Sequence, residues 1–239
     1  MRLIEFFWVF PVISASTWLI MLSSMLGHWV MSGEPTFGRM KPGQTIPFIS
    51  DIGAQELKPL FMIGSFITML FMNVTFYQFV QYKEHVNNIS MYLSFFFAIF
   101  GSLGLIMLSV FDNLDHLMLH DSFVAVFMTG YLVSAAVVCI DYFYLRLSSR
   151  VNKRMLMASF VIKFTFVIVE LAFIVAFRVI AAGGNMQKDT AAILEWVIAF
   201  TFTGYILSFI IDLLPSSQKP SDEYHQLEMD MSSDSRLMI

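Results

Sequence analysis

Long runs of apolar residues, separated by short polar segments, dominate this chain. Six of the runs are long enough to cross a bilayer, whose hydrocarbon core of about 30 Å requires roughly 20 residues of helix. They cover residues 6–31, 60–82, 89–111, 120–144, 156–180 and 191–214. Transmembrane β-strands would instead appear as alternating segments of about ten residues. The pattern predicts an all-α, polytopic membrane protein that folds as a six-transmembrane-helix bundle.

Composition supports a membrane protein, and the distribution of charge indicates which side of the membrane each terminus occupies. Of 239 residues, 57% are hydrophobic and 13% are charged, which is more apolar than one soluble core requires. Lys and Arg favour a cytosolic N-terminus and C-terminus, mainly because four cations lie between residues 146 and 154. We therefore expect a membrane domain over residues 1–214. The polar, acidic and serine-rich residues 215–239 are expected to form a disordered cytosolic tail.

Polar residues gather at the end of the bundle that this topology places in the lumen or outside the cell. Residues 111–123 carry three carboxylates and two histidines next to a membrane span. Such groups are costly at a membrane boundary unless they have partners. The run 47–53, which ends in a turn, can fold back onto the bundle mouth. The predicted luminal polar cluster is Ser50, Asp51, Asp112, His116, His120, Asp121 and Glu195.

Three roles for the luminal polar cluster are open. If the fourth helix extends backwards, Asp112, His116 and His120 form one stripe at intervals of four residues, which could hold a metal or provide a histidine base. No catalytic residue is assigned, because Ser50 and Ser122 lack a nucleophile motif. The cluster could also bind a lipid headgroup, or it could be a structural network that ties the first loop to the bundle. No metal or other cofactor is assigned.

Two ionisable residues lie within the fifth predicted span. Lys163 and Glu170 are about 10 Å apart along a helix, on nearly one face. Each therefore requires a partner elsewhere, and we expect Asp141 or Asp212 for Lys163 and Asn73 for Glu170. These residues either hold helices together or form a polar path through the membrane.

The tail contains a predicted sorting signal. Tyr224 and Leu227 form a Tyr-x-x-apolar pattern of the kind that clathrin adaptors bind as an extended peptide. The expected partners are therefore membrane lipids and, through the tail, a clathrin adaptor. The sequence has no basic stripe beyond residues 146–154, so we expect no nucleic acid partner.

Several motifs resemble those of the DRAM family, the damage-regulated autophagy modulators. The resemblance covers residues 1–214 and is carried by the run 47–53, the pair His120-Asp121, the segment Glu195-Trp196 through Phe200, and Tyr205, Leu207, Phe209 and Asp212. This six-helix family also includes fungal suppressors linked to phosphatidylinositol 4-kinase and factors that remodel the lipid of GPI anchors. The resemblance implies a non-enzymatic endomembrane protein of lysosomes or late endosomes that influences autophagy or membrane lipid organisation and signalling.

Some positions depart from the autophagy modulators. Ile52 stands where they usually carry threonine, and Ser122 and Phe123 replace small residues. Asp112 and His116 look more like the fungal branch and the GPI-remodelling proteins. The alternative function is therefore a GPI-anchor lipid-remodelling factor of the Golgi or endoplasmic reticulum that uses the luminal polar cluster.

Overall fold

Seven helices make up the part of the chain that the computed structural model describes, which is residues 6–82, 88–148, 153–181 and 188–214. They are α1 (Val9–Met31), α2 (Ile49–Gly53), α3 (Lys58–Tyr82), α4 (Asn88–Val110), α5 (Leu117–Ser148), α6 (Lys153–Ala181) and α7 (Lys188–Leu213). All except α2 are long and apolar enough to cross a membrane. The predicted all-α bundle of six membrane helices is confirmed.

The helix bounds differ most from the predicted spans at α5. This helix runs from Leu117 to Ser148, several residues beyond the predicted span at both ends. The predicted tail, residues 215–239 with Tyr224 and Leu227, lies outside the described residues.

Glycines bring α4 and α5 into direct backbone contact. A Cβ atom on Gly130 would lie 2.6 Å from the backbone nitrogen of Gly101. Likewise, a Cβ atom on Gly104 would lie 2.6 Å from the backbone nitrogen of Phe127. Small residues allow this approach, which in a membrane supplies the close packing that holds helices together.

A buried charge pair joins α5, α6 and α7 inside the membrane domain. Lys163, on α6, is fully buried, and its Nζ donates hydrogen bonds to Asp212 Oδ2 at 2.7 Å and to Ser208 Oγ at 2.9 Å, both on α7. The hydroxyls of Tyr142, on α5, and Ser159, on α6, donate to Asp212 Oδ1. The expected partner Asp212 is confirmed, and the complete set of bonds favours the interpretation as a link between helices.

Candidate functional site

The loop between α1 and α3 folds back over one end of the bundle, as the sequence predicts. Within it, α2 is a single short helix whose Ile49, Asp51 and Ile52 are buried. Asp51 Oδ2 accepts a hydrogen bond from the N–H of Phe48 at 3.1 Å, which satisfies a free donor at the start of this helix. We call this end of the molecule the α2 end.

Carboxylates from α7 hold the loop in place. Asp189 accepts hydrogen bonds from the N–H of Thr45 at 2.7 Å and from the N–H of Ile46 at 2.9 Å. Glu195 Oε2 accepts one from the N–H of Ile49 at 3.0 Å. Glu195 thus has a structural role at the predicted position, whereas Asp189 was not predicted as a site residue.

The segment between α4 and α5 supplies the other contacts to α2. Asn113 Nδ2 donates to Asp51 Oδ1 at 2.7 Å and to Ser50 Oγ at 3.3 Å. Next to it, Asp112 accepts a hydrogen bond from Lys58 Nζ at 2.5 Å, at the start of α3. Asn113 and Lys58 were missed from the sequence, although Asn113 lies beside a predicted site residue.

The two aspartates of this network have opposite electrostatic surroundings. Burial raises the pKa of Asp51 above its usual value, and the hydrogen bonds from Asn113 and Phe48 only partly oppose this. Burial also acts to raise the pKa of Asp112, but the hydrogen bond and charge of Lys58, together with two backbone N–H donors, outweigh it. The pKa of Asp112 is therefore lowered.

His120 is buried at the junction of α4 and α5. Its Nδ1 lies 3.0 Å from two carbonyl oxygens, those of Leu108 and Phe111. Since both are acceptors, Nδ1 is assigned as the donor, and in a neutral ring Nε2 would then be the acceptor nitrogen. His120 therefore closes the end of α4 and keeps one nitrogen available.

Two predicted members of the luminal polar cluster lie apart from this network. Because α5 begins at Leu117, Asp112 and His116 precede the helix, and the predicted stripe with His120 is wrong. The side chains of His116 and Asp121 are exposed. Within the described ranges, no group of three His, Cys, Asp or Glu side chains is arranged to hold a metal ion.

A large cavity lies within the membrane bundle. Its empty volume, with the space at its mouth, is about 910 Å³, and aromatic and aliphatic side chains form most of its wall. Ser50, His120, Glu170 and Glu195 are the polar exceptions. Along α5 the lining extends from His120 to Ala135, which is a rise of about 22 Å. Sequence alone did not predict this cavity.

Glu170 contributes to the cavity wall without the predicted partner. Its Oε1 is buried and has no hydrogen bond. The expected pairing with Asn73 is wrong, since Glu170 Oε1 has no bond and Asn73 instead accepts a hydrogen bond from Ser102 on α4. Among the site residues that the sequence singled out, the structure therefore places Ser50, His120, Glu170 and Glu195 around one cavity.

Comparison with known proteins gives two findings. The model of the family described as Frag1/DRAM/Sfk1/Cwh43P N-terminal domain matches residues 6–216. "Protein sfk1" of Schizosaccharomyces pombe is 29% identical over 227 residues, which cover 88% of this chain and 65% of that protein. The chain thus spans just under two thirds of the length of this curated relative. No solved structure matches the chain.

Proposed function

Because this chain belongs to the Frag1/DRAM/Sfk1 family, we propose that it is a non-enzymatic endomembrane protein that binds membrane lipid inside its helix bundle. Through that lipid it influences autophagy or lipid organisation and signalling. Family membership agrees with the motif resemblance and with six membrane helices. The lipid role and the compartment are our proposal.

The cavity is the observation that supports lipid binding. Its apolar wall extends along α5 for about 22 Å, most of the 30 Å hydrocarbon core of a bilayer. Ser50 and Glu195 lie towards the α2 end of the same cavity. A mostly apolar pocket with a few polar groups is the usual form of a small-molecule site. The apolar chain of a lipid along this wall would match this arrangement.

A photoactivatable lipid tests this proposal. Phosphatidylcholine with a diazirine in the middle of one acyl chain is incorporated into nanodiscs with the full-length protein, irradiated, and the labelled peptides are identified. We expect labels on cavity residues of α5 and α6. Val167→Trp should reduce this labelling at least severalfold, because Val167 lines the cavity and the larger side chain would narrow it.

Ile168→Trp is the matched control. Ile168 is on the same helix and is half exposed on its lipid-facing side. This variant should therefore keep the cavity labels. Labels confined to outward-facing residues in both variants and in the wild type would contradict a lipid inside the bundle.

The cellular role is tested with the same pair of variants. In cells that lack this chain, autophagic flux and phosphoinositide levels are measured after each variant is restored to equal abundance. If the cavity carries the function, Ile168→Trp restores both readouts and Val167→Trp does not. Equal restoration by the two variants would mean that the cellular role does not depend on the cavity.

A second candidate function, GPI-anchor lipid remodelling, is favoured by His120. Its Nε2, an acceptor in the neutral ring, and its place in the cavity wall would suit a general base near a bound lipid. The test is the lipid composition of surface GPI-anchored proteins in cells lacking this chain, with His120→Gln or the exposed-site control His116→Gln added back. Unchanged anchors in the deficient cells would exclude this candidate.

Sorting to late endosomes or lysosomes is proposed from the tail alone. Tyr224 and Leu227 would bind a clathrin adaptor as part of an extended peptide. Tyr224→Ala should then increase the protein at the cell surface, measured by surface biotinylation. His225→Ala, at a position of the pattern that accepts any residue, should leave the distribution unchanged.

A further inference from the structure

Two buried polar groups in the cavity wall have no partner in the protein. They are Glu170 Oε1 and the hydroxyl of Tyr205, whose side chain is only 3% exposed. By contrast, two other polar groups of the wall have partners: Trp18 Nε1 donates to the carbonyl of Ala199 at 2.8 Å, and the Tyr131 hydroxyl pairs with a serine. Unpartnered buried polar groups are destabilising, so each one requires an explanation.

The two groups lie at one level of the bundle. α6 and α7 are neighbouring, antiparallel helices that are joined by the bond from Lys163 to Asp212, at 2.7 Å. Glu170 follows Lys163 by seven residues on α6, and Tyr205 precedes Asp212 by seven residues on α7. Each step is a rise of about 10 Å in the same direction. Glu170 and Tyr205 therefore face one cavity at equal depth, a place we call the polar floor.

The polar floor is deep in the membrane domain. Glu195, which bonds to Ile49 at the α2 end, precedes Tyr205 on α7 by ten residues, or about 15 Å. This is half of a hydrocarbon core of about 30 Å. A phospholipid headgroup at the bilayer surface would not reach that depth, and a charge is costly there, so a small neutral polar group is the better fit.

The chemistry of the two side chains favours a hydroxyl ligand. A protonated carboxyl and a phenol can each donate and accept a hydrogen bond, and a hydroxyl group has the same capacity. An ammonium group only donates and would leave the Tyr205 proton without an acceptor. The described cavity wall contains no Lys or Arg that would balance an ionised Glu170. These observations point to a neutral partner.

We propose that the polar floor binds the hydroxyl group of a neutral lipid, which enters the cavity hydroxyl first. The inference rests on the proposed lipid-binding function and specifies its ligand class: long-chain alcohols, sterols or diacylglycerols. The apolar body of the lipid lies along α5 and reaches towards the α2 end.

Octadecanol and its methyl ether provide the test. They differ by one methyl group that removes the hydrogen-bond donor, and their affinities for the full-length protein in nanodiscs are measured by displacement of the photoactivatable phosphatidylcholine. Wild type should bind octadecanol about tenfold more tightly than the ether. Glu170→Leu should reduce this preference to about onefold, and Tyr205→Phe should reduce it severalfold. Glu170→Gln should retain it, because an amide also donates and accepts.

A matched control and a stability measurement accompany these variants. Glu56→Leu changes an exposed carboxylate in the α2 end and should leave the tenfold preference intact. The Tm of Glu170→Leu should not decrease, because the substitution removes an unpartnered polar group. Cholesterol and dioleoylglycerol are then compared as competitors, and the stronger one identifies the source of the hydroxyl.

Specific results would overturn the inference. Equal binding of octadecanol and the ether by wild type would exclude hydroxyl recognition, while cavity labelling by the photoactivatable lipid would leave the proposed function standing. Tighter binding of octadecylamine than octadecanol, lost in Glu170→Gln, would identify a cation site instead. If the photoactivatable lipid does not label the cavity and octadecanol does not bind, both the inference and the proposed function fail.

Discussion

Replacing Lys163 by methionine would leave one charge of the buried pair without its partner. The Lys163 ammonium is fully buried, bonded to Asp212 at 2.7 Å and to Ser208 at 2.9 Å, and lies 4.1 Å from the centre of the Phe209 ring. Lys163→Met preserves much of the aliphatic stem but leaves Asp212 as a buried carboxylate without a cation. Breaking a buried ion pair from one side is expected to lower the free energy of unfolding by about 3–5 kcal/mol.

Removing both charges should restore most of that loss. In Lys163→Met/Asp212→Asn, the Asn Oδ1 can still accept hydrogen bonds from Tyr142 and Ser159. Its Nδ2 can donate to the hydroxyl oxygen of Ser208, whose own proton goes to a backbone carbonyl. Every polar group in the set then keeps a partner without the desolvation of two ions. We expect the double variant to be within about 1 kcal/mol of wild type.

The assay is reversible unfolding in mixed micelles with increasing sodium dodecyl sulfate, followed by tryptophan fluorescence or circular dichroism. Wild type, both single variants and the double variant form a complete double-mutant cycle. A double variant as unstable as Lys163→Met alone would refute the reasoning. The loss would then come from packing of the lysine stem, and the unpaired charge would contribute little.

Gly130→Ala should lower the free energy of unfolding by about 1–3 kcal/mol, since the new Cβ would lie 2.6 Å from the backbone of Gly101. That backbone cannot move away without separating α4 and α5. Gly27→Ala, with nothing within 4 Å of the new Cβ, is the control and should leave the unfolding midpoint unchanged or raise it. Lys58 holds the pKa of Asp112 below its usual value against the effect of burial. The ionised carboxylate therefore stabilises the fold at a pH above its unfolded pKa. This contribution is lost as the pH falls through the folded pKa. Asp112→Asn should therefore flatten the decline in the free energy of unfolding below about pH 4. The effect should be at most about 1 kcal/mol, because Lys58 is partly exposed. Identical pH profiles for variant and wild type would contradict this.

The six spans could be predicted because length and hydropathy alone decide which segments can cross a bilayer. The segment before α5 could not, because a local interaction competes with helix formation. Asp112 Oδ1 accepts hydrogen bonds from the N–H groups of Leu114 and Asp115, at 3.0 and 2.9 Å. Because this turn forms, Asp112 and His116 do not belong to α5 and the predicted stripe is absent. His120 instead bonds to the carbonyl of Leu108 near the end of α4.

Partners across the bundle were only partly predictable. Asp141 and Asp212 were both plausible partners for Lys163, and the choice depends on helix rotation, which sequence spacing does not specify. The same limitation explains the error at Asn73, which faces α4 and bonds to Ser102. The cavity and its polar floor arise from the register of α6 against α7, so no single segment of sequence contains a signal for them.

The loop that carries α2 obtains its backbone partners from the far end of the chain. The N–H groups of Thr45, Ile46 and Ile49 bond to Asp189 and Glu195, which are 143 to 146 residues later in sequence. During synthesis this loop must therefore wait until α7, the last of the six spans, has entered the membrane. Until then its N–H donors lack these acceptors, and unpaired backbone groups are unfavourable in a buried environment. Insertion of α7 therefore supplies the acceptors that fix the α2 loop over this end of the bundle.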